Sequence, residues 1–127
     1  MKKASLFKIA AFSAASFALQ LFGPTKAALA ETAEANYALY CVQCHGSAGT
    51  GKGINAPYLA VAPRNHTSAK DMEQLADDGI ALAIKEGGSA VSKSTQMPAW
   101  KSVLNDGEIK DLVAHLRKMC KCSYKKP

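Results

Sequence analysis

The stretch Cys41-Val42-Gln43-Cys44-His45 decides how this chain folds. Two thiols three residues apart, followed directly by an imidazole, form the attachment motif of a c-type haem. Cys41 and Cys44 would form thioether bonds to the edge of the macrocycle, and the turn between them would bring His45 to the iron. The motif therefore predicts one covalently bound haem c, with His45 as its proximal ligand.

The same cysteines admit other chemistry. A C-x-x-C pair also occurs in redox dithiols and in zinc sites, and Cys120 and Cys122 would complete a four-thiolate cluster with Cys41 and Cys44. The adjacent His45, the absence of a strand pattern before Cys41 and the C-x-C spacing of the second pair favour haem. A zinc-stabilised module or a dithiol remains the alternative.

Residues 1–30 have the composition of a secretory signal peptide. Lysines near the start precede an apolar run over residues 9–22, and the small-residue sequence Ala28-Leu29-Ala30 follows. The run is short and interrupted by polar residues, so it is a poor membrane span. We expect cleavage after Ala30, a periplasmic mature domain of residues 31–127, and no stable membrane insertion.

The formal charge of +6 belongs largely to the leader and the tail. Four of the sixteen Lys and Arg residues lie in residues 1–30, whereas all ten Asp and Glu residues follow them, so the mature chain carries only +2. Five of its positive charges lie in residues 117–126. Such a tail could steer docking to an acidic partner, and no pattern for binding nucleic acid accompanies it.

The mature chain has helical periodicity and lacks the alternating pattern of strands, which predicts an all-α fold. Helices are expected at residues 32–41, from a cap at Ser68 through Met72 and Leu75, and at residues 78–86. The strongest periodicity follows a capping box of Asn105 and Glu108, at Ile109, Leu112, Val113, Leu116 and Met119.

Residues 46–63 contain four Gly and two Pro residues and are predicted to form an extended loop around the ring. Met97 is the preferred second axial ligand, because it lies in a loop and Pro98 stiffens its position. Met72 and Met119 fall at helical core spacing and are expected to pack. His66 is the runner-up ligand, although an exposed loop histidine is more often solvated.

The order of these motifs resembles that of the small single-haem class I cytochromes c of bacteria, over essentially the whole mature chain. The matching features are Cys41-x-x-Cys44-His45, Met97-Pro98, and the helix from Glu108 to Leu116. The resemblance implies a small cytochrome c-like fold whose helices wrap one haem. It also implies that the first and last helices cross, with Ala33, Tyr37, Leu112 and His115 at the contact.

Further roles follow from the resemblance and from side-chain chemistry. The carbonyl of Pro57 is expected to accept a hydrogen bond from the second N–H of His45. Arg64 and Trp100 are expected to bind the haem propionates; the alternatives are a surface charge for Arg64 and a core residue for Trp100. His115 replaces the family's usual aromatic residue. It either packs flat on the first helix or makes that contact sensitive to pH.

His/Met ligation predicts an electron carrier rather than an enzyme, docking weakly to larger redox proteins as donor and acceptor. The main alternative is a haem protein that binds ligands or handles peroxide, which requires Met97 to be displaceable. The pair Cys120 and Cys122 has no role in either hypothesis. These residues could bridge each other only where the helix has ended, and intermolecular bridges or metal capture are further options.

Overall fold

The computed structural model describes residues 31–126, which form five α-helices and two short 3-10 helices. The α-helices are α1 (Ala33–Tyr40), α2 (Val42–His45), α3 (Ala69–Met72), α4 (Asp77–Glu86) and α5 (Asp106–Cys120), and the 3-10 helices are Ala56–Tyr58 and Gly88–Val91. This part of the chain contains no strand, so the predicted all-α class is confirmed. The predicted signal peptide lies outside the described residues.

The first and last helices pack together, as expected. Thr32 caps α1, where its hydroxyl oxygen accepts from the Ala35 N–H at 3.1 Å. Tyr37 is buried in one cluster with Leu112, and its ring centroid lies 5.3 Å from that of His115. The planes of the two rings are inclined by 52°, so the His115 ring does not lie flat on the ring of Tyr37.

The capping box of α5 is confirmed in both directions. The Asn105 side chain accepts from the Glu108 N–H at 3.0 Å, and the Glu108 carboxylate accepts from the Asn105 N–H at 2.9 Å. The buried face matches the prediction except at its end, where Cys120 is buried and Met119 lies at the edge of the core. A helical period of 3.6 allows either i+3 or i+4 after Leu116, so the sequence pattern could not distinguish these two positions.

The predicted helix carrying Met72 and Leu75 is shorter than expected. The Ser68 hydroxyl accepts from the Asp71 N–H at 3.4 Å, but α3 ends at Met72 and leaves Leu75 beyond it. Arg117 of α5 provides the physical reason, because its guanidinium donates to the carbonyls of Met72, at 2.7 Å, and Leu75. The Met72 carbonyl also accepts from the Leu75 N–H at 3.1 Å, which is a turn bond and does not continue the α-helix. A charged donor from another element thus bonds to carbonyls that a longer helix would have used.

The same guanidinium ties in α4. Arg117 Nε donates to the carboxylate of Asp77, the first residue of α4, at 2.8 Å. The helix ends at Gly87, whose φ of +85° is in the region that favours glycine. None of the helices between residues 31 and 126 has the length and apolarity that crossing a bilayer requires.

Candidate haem site

The haem motif occupies a single helical turn directly after α1. The Cys41 N–H donates to the carbonyl of Tyr37 at 2.9 Å, and the His45 N–H donates to the carbonyl of Cys41 at 2.9 Å. Cys41 and Cys44 are half-buried, and neither forms a disulfide. Two thiols and one imidazole are thus placed together by local helical geometry, as thioether attachment and proximal ligation require.

The surroundings of the motif favour the neutral forms of Cys41 and His45. Burial, assisted by the neighbouring Cys44, raises the pKa of the Cys41 thiol to about 12. Burial also lowers the pKa of His45. A neutral imidazole is the form that binds a metal.

Arg64, not Pro57, supplies the hydrogen-bond acceptor for His45. Nδ1 of His45 lies 2.9 Å from the carbonyl oxygen of Arg64 and donates to it. Pro57 lies instead in the 3-10 helix Ala56–Tyr58, just after Asn55, whose N–H donates to the carbonyl of Gln43 at 2.8 Å. This bond leaves Nε2 as the ring nitrogen of His45 that can bind iron, which is the usual arrangement of a metal-ligating histidine.

Glycines explain how the Arg64 segment reaches His45. A Cβ on Gly51 would lie 2.5 Å from the carbonyl oxygen of Pro63, so a larger residue there would push this segment away. Nearby, the N–H of His66 donates to the carbonyl of Gly49 at 2.7 Å. Residues 63–66 therefore run directly against the start of the loop that follows His45.

His66 is buried, which contradicts its expected place in an exposed loop. Its ring stacks on His45 with centroids 4.1 Å apart and planes inclined by 17°. The two imidazoles stack face to face in direct contact, so they would not hold one iron between them. This position does not support His66 as the runner-up ligand.

A hydrogen-bonded chain fixes His66 in this position. Its Nδ1 lies 3.1 Å from the hydroxyl of Tyr37, and that hydroxyl donates to the carbonyl of Gly46 at 3.3 Å. Both bonds form in the tautomer whose Nδ1–H donates to the hydroxyl oxygen. Burial, together with His45 and Arg64, lowers the pKa of His66 to about 3, so the stack is neutral near pH 7.

The loop that carries Met97 is anchored to the end of α4. The Met97 carbonyl accepts from the Gly88 N–H at 3.0 Å, and a Cβ on Gly87 would lie 2.9 Å from the same carbonyl oxygen. Met97 itself is partly buried and packs against the core. The close approach of two backbone segments thus sets the position of the predicted distal ligand.

Arg64 and Trp100 lie near the motif in different ways. The charge of Arg64 is close enough to act on His45 and His66, where it contributes to the lowered pKa of each ring. Trp100 is partly buried, and its ring centroid lies 5.0 Å from that of Tyr40. The backbone N–H of Trp100 donates to the carbonyl of Ile84 at 3.0 Å, which fixes the end of the Met97 loop on α4.

The structure contradicts the predicted zinc site of four cysteine thiolates. Cys120 and Cys122 form a disulfide with each other, with Cα atoms 5.2 Å apart, so their sulfurs are not metal ligands. Within residues 31–126, no group of three or more His, Cys, Asp or Glu side chains is placed to hold a metal ion. The disulfide forms where α5 has ended, as its short spacing requires.

Comparison with known proteins also indicates a c-type cytochrome. Residues 28–116 match the family model described as cytochrome C oxidase, cbb3-type, subunit III. The structure is similar to that of the KustC0563 c-type cytochrome, with a TM-score of 0.57 and 25% sequence identity over 70% of this chain and 98% of that chain. No curated protein matches this chain in sequence.

Proposed function

Because this chain belongs to the cytochrome c family described as cytochrome C oxidase, cbb3-type, subunit III, we propose that it is a periplasmic carrier of single electrons. Family membership implies an electron-carrying c-type cytochrome. The proposal adds one haem c bound through Cys41 and Cys44, with His45 and Met97 as axial ligands. Its donor and acceptor would be larger redox proteins.

The geometry of His45 carries this proposal. Its Nδ1 is engaged by the Arg64 carbonyl, and two cysteines without a disulfide stand in the same turn. These residues fit a haem, because they provide two attachment points and one oriented nitrogen within five residues of sequence. When bound, the haem iron would accept and release one electron by alternating between its ferric and ferrous states.

The remaining work is done by side chains of this chain. The Arg64 carbonyl and the His66 ring restrict rotation of His45, and the anchored loop restricts Met97. Fixed ligands move little when the charge of a site changes, which favours fast electron transfer. If Met97 and His45 both bound the iron, the thioether would favour the reduced state and no position would be left for a substrate. This arrangement suits a carrier rather than an enzyme.

An apolar surface beside the site is suited to transient docking. Ile54, Tyr58 and Val61 are exposed on the loop of residues 46–63, with Tyr58 at 84% of its maximum. The N–H of Ala60 donates to the side-chain oxygen of Gln96 at 3.0 Å, so this loop meets the residue that precedes Met97. Exposed apolar side chains on a loop that adjoins the Met97 segment would allow weak, short-lived contacts with redox partners.

The test is the absorption spectrum of the oxidised protein, exported from a host that attaches c-type haem. We expect the weak near-red band of methionine sulfur bonded to ferric haem. This band should disappear in Met97→Ala and persist in the control Met119→Ala, which removes another partly buried methionine. A haem spectrum without the band, together with carbon monoxide binding, would favour the ligand-binding alternative. Absence of haem would overturn the proposal.

The intact mass of the same preparation tests location and attachment. We expect the mass of one haem added to a chain that begins at Glu31. A chain that retains residues 1–30 would contradict the predicted cleavage and the periplasmic assignment.

A further inference from the structure

The disulfide at the end of α5 plays no part in the proposed electron transfer. Cys120 is the last residue of the helix and is buried, whereas Cys122 is half-buried and lines a surface groove of about 570 Å³. Lys121 between them has a φ of +51°, which only glycine adopts readily. The bond thus joins a buried cysteine to a partly exposed one.

This disulfide is poorly suited to be a structural brace. The stabilisation that a disulfide gives by restricting the unfolded chain grows with the length of the loop it closes, and this loop is nearly the shortest that can exist. The left-handed conformation of Lys121 is that of the C-cap of α5, where the N–H groups of Lys121 and Cys122 donate to the carbonyls of Lys118 and Arg117 at 3.3 Å, so backbone bonds already fix this turn. Arg117 already ties α5 to α3 and α4 without it.

The groove around Cys122 is positively charged. Nη1 of Arg117 lies 3.9 Å from the sulfur of Cys122, and Lys118, Lys121 and Lys125 also line the groove. Glu73 is the acidic residue among the lining side chains, and its carboxylate pairs with Lys125 at 2.9 Å. An incoming thiolate is an anion, so this surface attracts the species that attacks disulfides.

We propose that Cys120 and Cys122 form a thiol–disulfide exchange site that reacts with the dithiol of a partner protein. A thiolate of the partner attacks the sulfur of Cys122, the more exposed of the two cysteines, and the bond to Cys120 breaks. Cys120 leaves with the electron pair and takes up a proton. The partner's second thiol then displaces Cys122, which also gains a proton. The pair gains two electrons and two protons, and the partner becomes a disulfide.

Reduction would release the C-terminal tail. The N–H of Lys125 donates to the carbonyl of Glu73 at 2.8 Å, so the residues after Cys122 lie against the segment that follows α3. The N–H groups of Lys121 and Cys122 also donate to the carbonyls of Lys118 and Arg117, so the disulfide ring is one of several constraints on this turn. Reduction removes the covalent constraint and leaves hydrogen bonds and the Lys125–Glu73 ion pair to hold the tail, which favours its release.

The test uses the full haem-loaded protein, incubated in native buffer with reduced thioredoxin or with dithiothreitol, then alkylated with a maleimide and weighed. We expect two alkylated thiols per molecule from the native protein. We also expect Lys118→Gln/Lys121→Gln to react several-fold more slowly with thioredoxin, with Lys93→Gln/Lys101→Gln as the matched control. A disulfide that reacts only after unfolding in urea, or equal rates in the two double variants, would overturn the proposal.

Two further readouts separate this inference from the proposed function. Four alkylated thiols would show that Cys41 and Cys44 are free, which would contradict haem attachment while leaving exchange at Cys120 and Cys122 intact. Trypsin should cleave after Lys121 faster in the reduced protein than in the oxidised protein. Equal cleavage rates would contradict release of the tail.

Discussion

His66 lies behind the haem motif, between the ring of His45 and the hydroxyl of Tyr37. A histidine in a polar loop carries no periodic signal, so the sequence alone suggests a solvated side chain. The available signal was indirect: Gly49 and Gly51 permit a close approach of backbone segments, and that approach buries the residues opposite them. The role of His66 depends on this tertiary contact.

Two substitutions of His66 should separate the contribution of its ring to the free energy of unfolding from that of its hydrogen bond. His66→Ala removes a buried ring between two others and should lower the free energy of unfolding by about 2–4 kcal/mol. His66→Phe keeps the stack and leaves Tyr37 bonded to Gly46, so a loss of about 1 kcal/mol is expected. Urea unfolding measures both, and equal losses in the two variants would show that stacking contributes nothing.

The residues of the haem motif were identifiable from sequence, because their chemistry is local and their spacing is specific. The hydrogen-bond acceptor for His45 could not be identified from sequence. Pro57 and Arg64 both follow the motif, and only the path of the chain decides which carbonyl reaches His45. The bond between Cys120 and Cys122 was only conditionally predictable. Their spacing allows a disulfide where the helix has ended, and the structure was needed to show where it ends.

At the scale of elements, Gly53 shows how the loop fits the haem motif. Its N–H donates to the carbonyl of Cys44 at 3.0 Å, and a Cβ there would collide with backbone atoms of Gln43 and Cys44. Backbone atoms in a helical turn cannot yield as a flexible side chain can. Gly53 therefore holds the loop closely against the attachment turn.

Two glycine substitutions should have opposite effects. Gly53→Ala should lower the free energy of unfolding by about 2 kcal/mol or more, and it should reduce the yield of haem-loaded protein by displacing the motif. Gly79→Ala in α4 meets no atom within 4 Å and should raise stability by about 0.5–1 kcal/mol, as helix propensity predicts. Thermal unfolding of the two variants, together with haem absorbance per protein, measures both effects.

The folded state should lose stability in acid through Glu34, which lies in the first turn of α1 and contacts His115 of α5. A backbone hydrogen bond, and then the charge of His115, lower the pKa of Glu34 below its ordinary 4.5. The unfolded chain therefore binds a proton at higher pH than the folded chain does, so the stability present above about pH 4.5 is lost as pH falls through the folded pKa. Glu34→Gln should reduce this loss in urea unfolding between pH 6 and pH 3. An unchanged loss would assign it to other groups.

The helices themselves were predictable in proportion to their length. The bounds of α1, α4 and α5 lie within a few residues of the expected ones, because each has a cap, a periodic face or a terminal glycine. The short α3 was overextended in the prediction, because the donors from Arg117 that end it come from an element 45 residues away in sequence.

At the scale of the whole molecule, the protein core is small. Ten apolar residues are buried among those the structure describes, and they lie mainly on α4 and α5. A domain of this size gains limited stability from polypeptide burial alone. A large apolar cofactor attached beside Tyr40 and Trp100 would supply much of the rest.

Loss of haem attachment should therefore destabilise the whole fold. In Cys41→Ala/Cys44→Ala, we expect the Tm to fall by more than about 10 °C, since each kcal/mol shifts the Tm of a domain this small by about 4–8 °C. Cys120→Ala/Cys122→Ala also removes two cysteines and should keep both its haem and most of its Tm. Near-ultraviolet circular dichroism during heating measures the transition, and similar losses in the two variants would contradict a structural role for haem.

The pairing of α1 with α5 also constrains the order of folding. The contact between Glu34 and His115 spans 81 residues, so it closes almost the whole described chain. Loop closure of this length is entropically unfavourable until other contacts have shortened the path. Tyr37 thus has no partner on α5 until the last helix has been synthesised, so a chain that stops before α5 cannot complete the native fold.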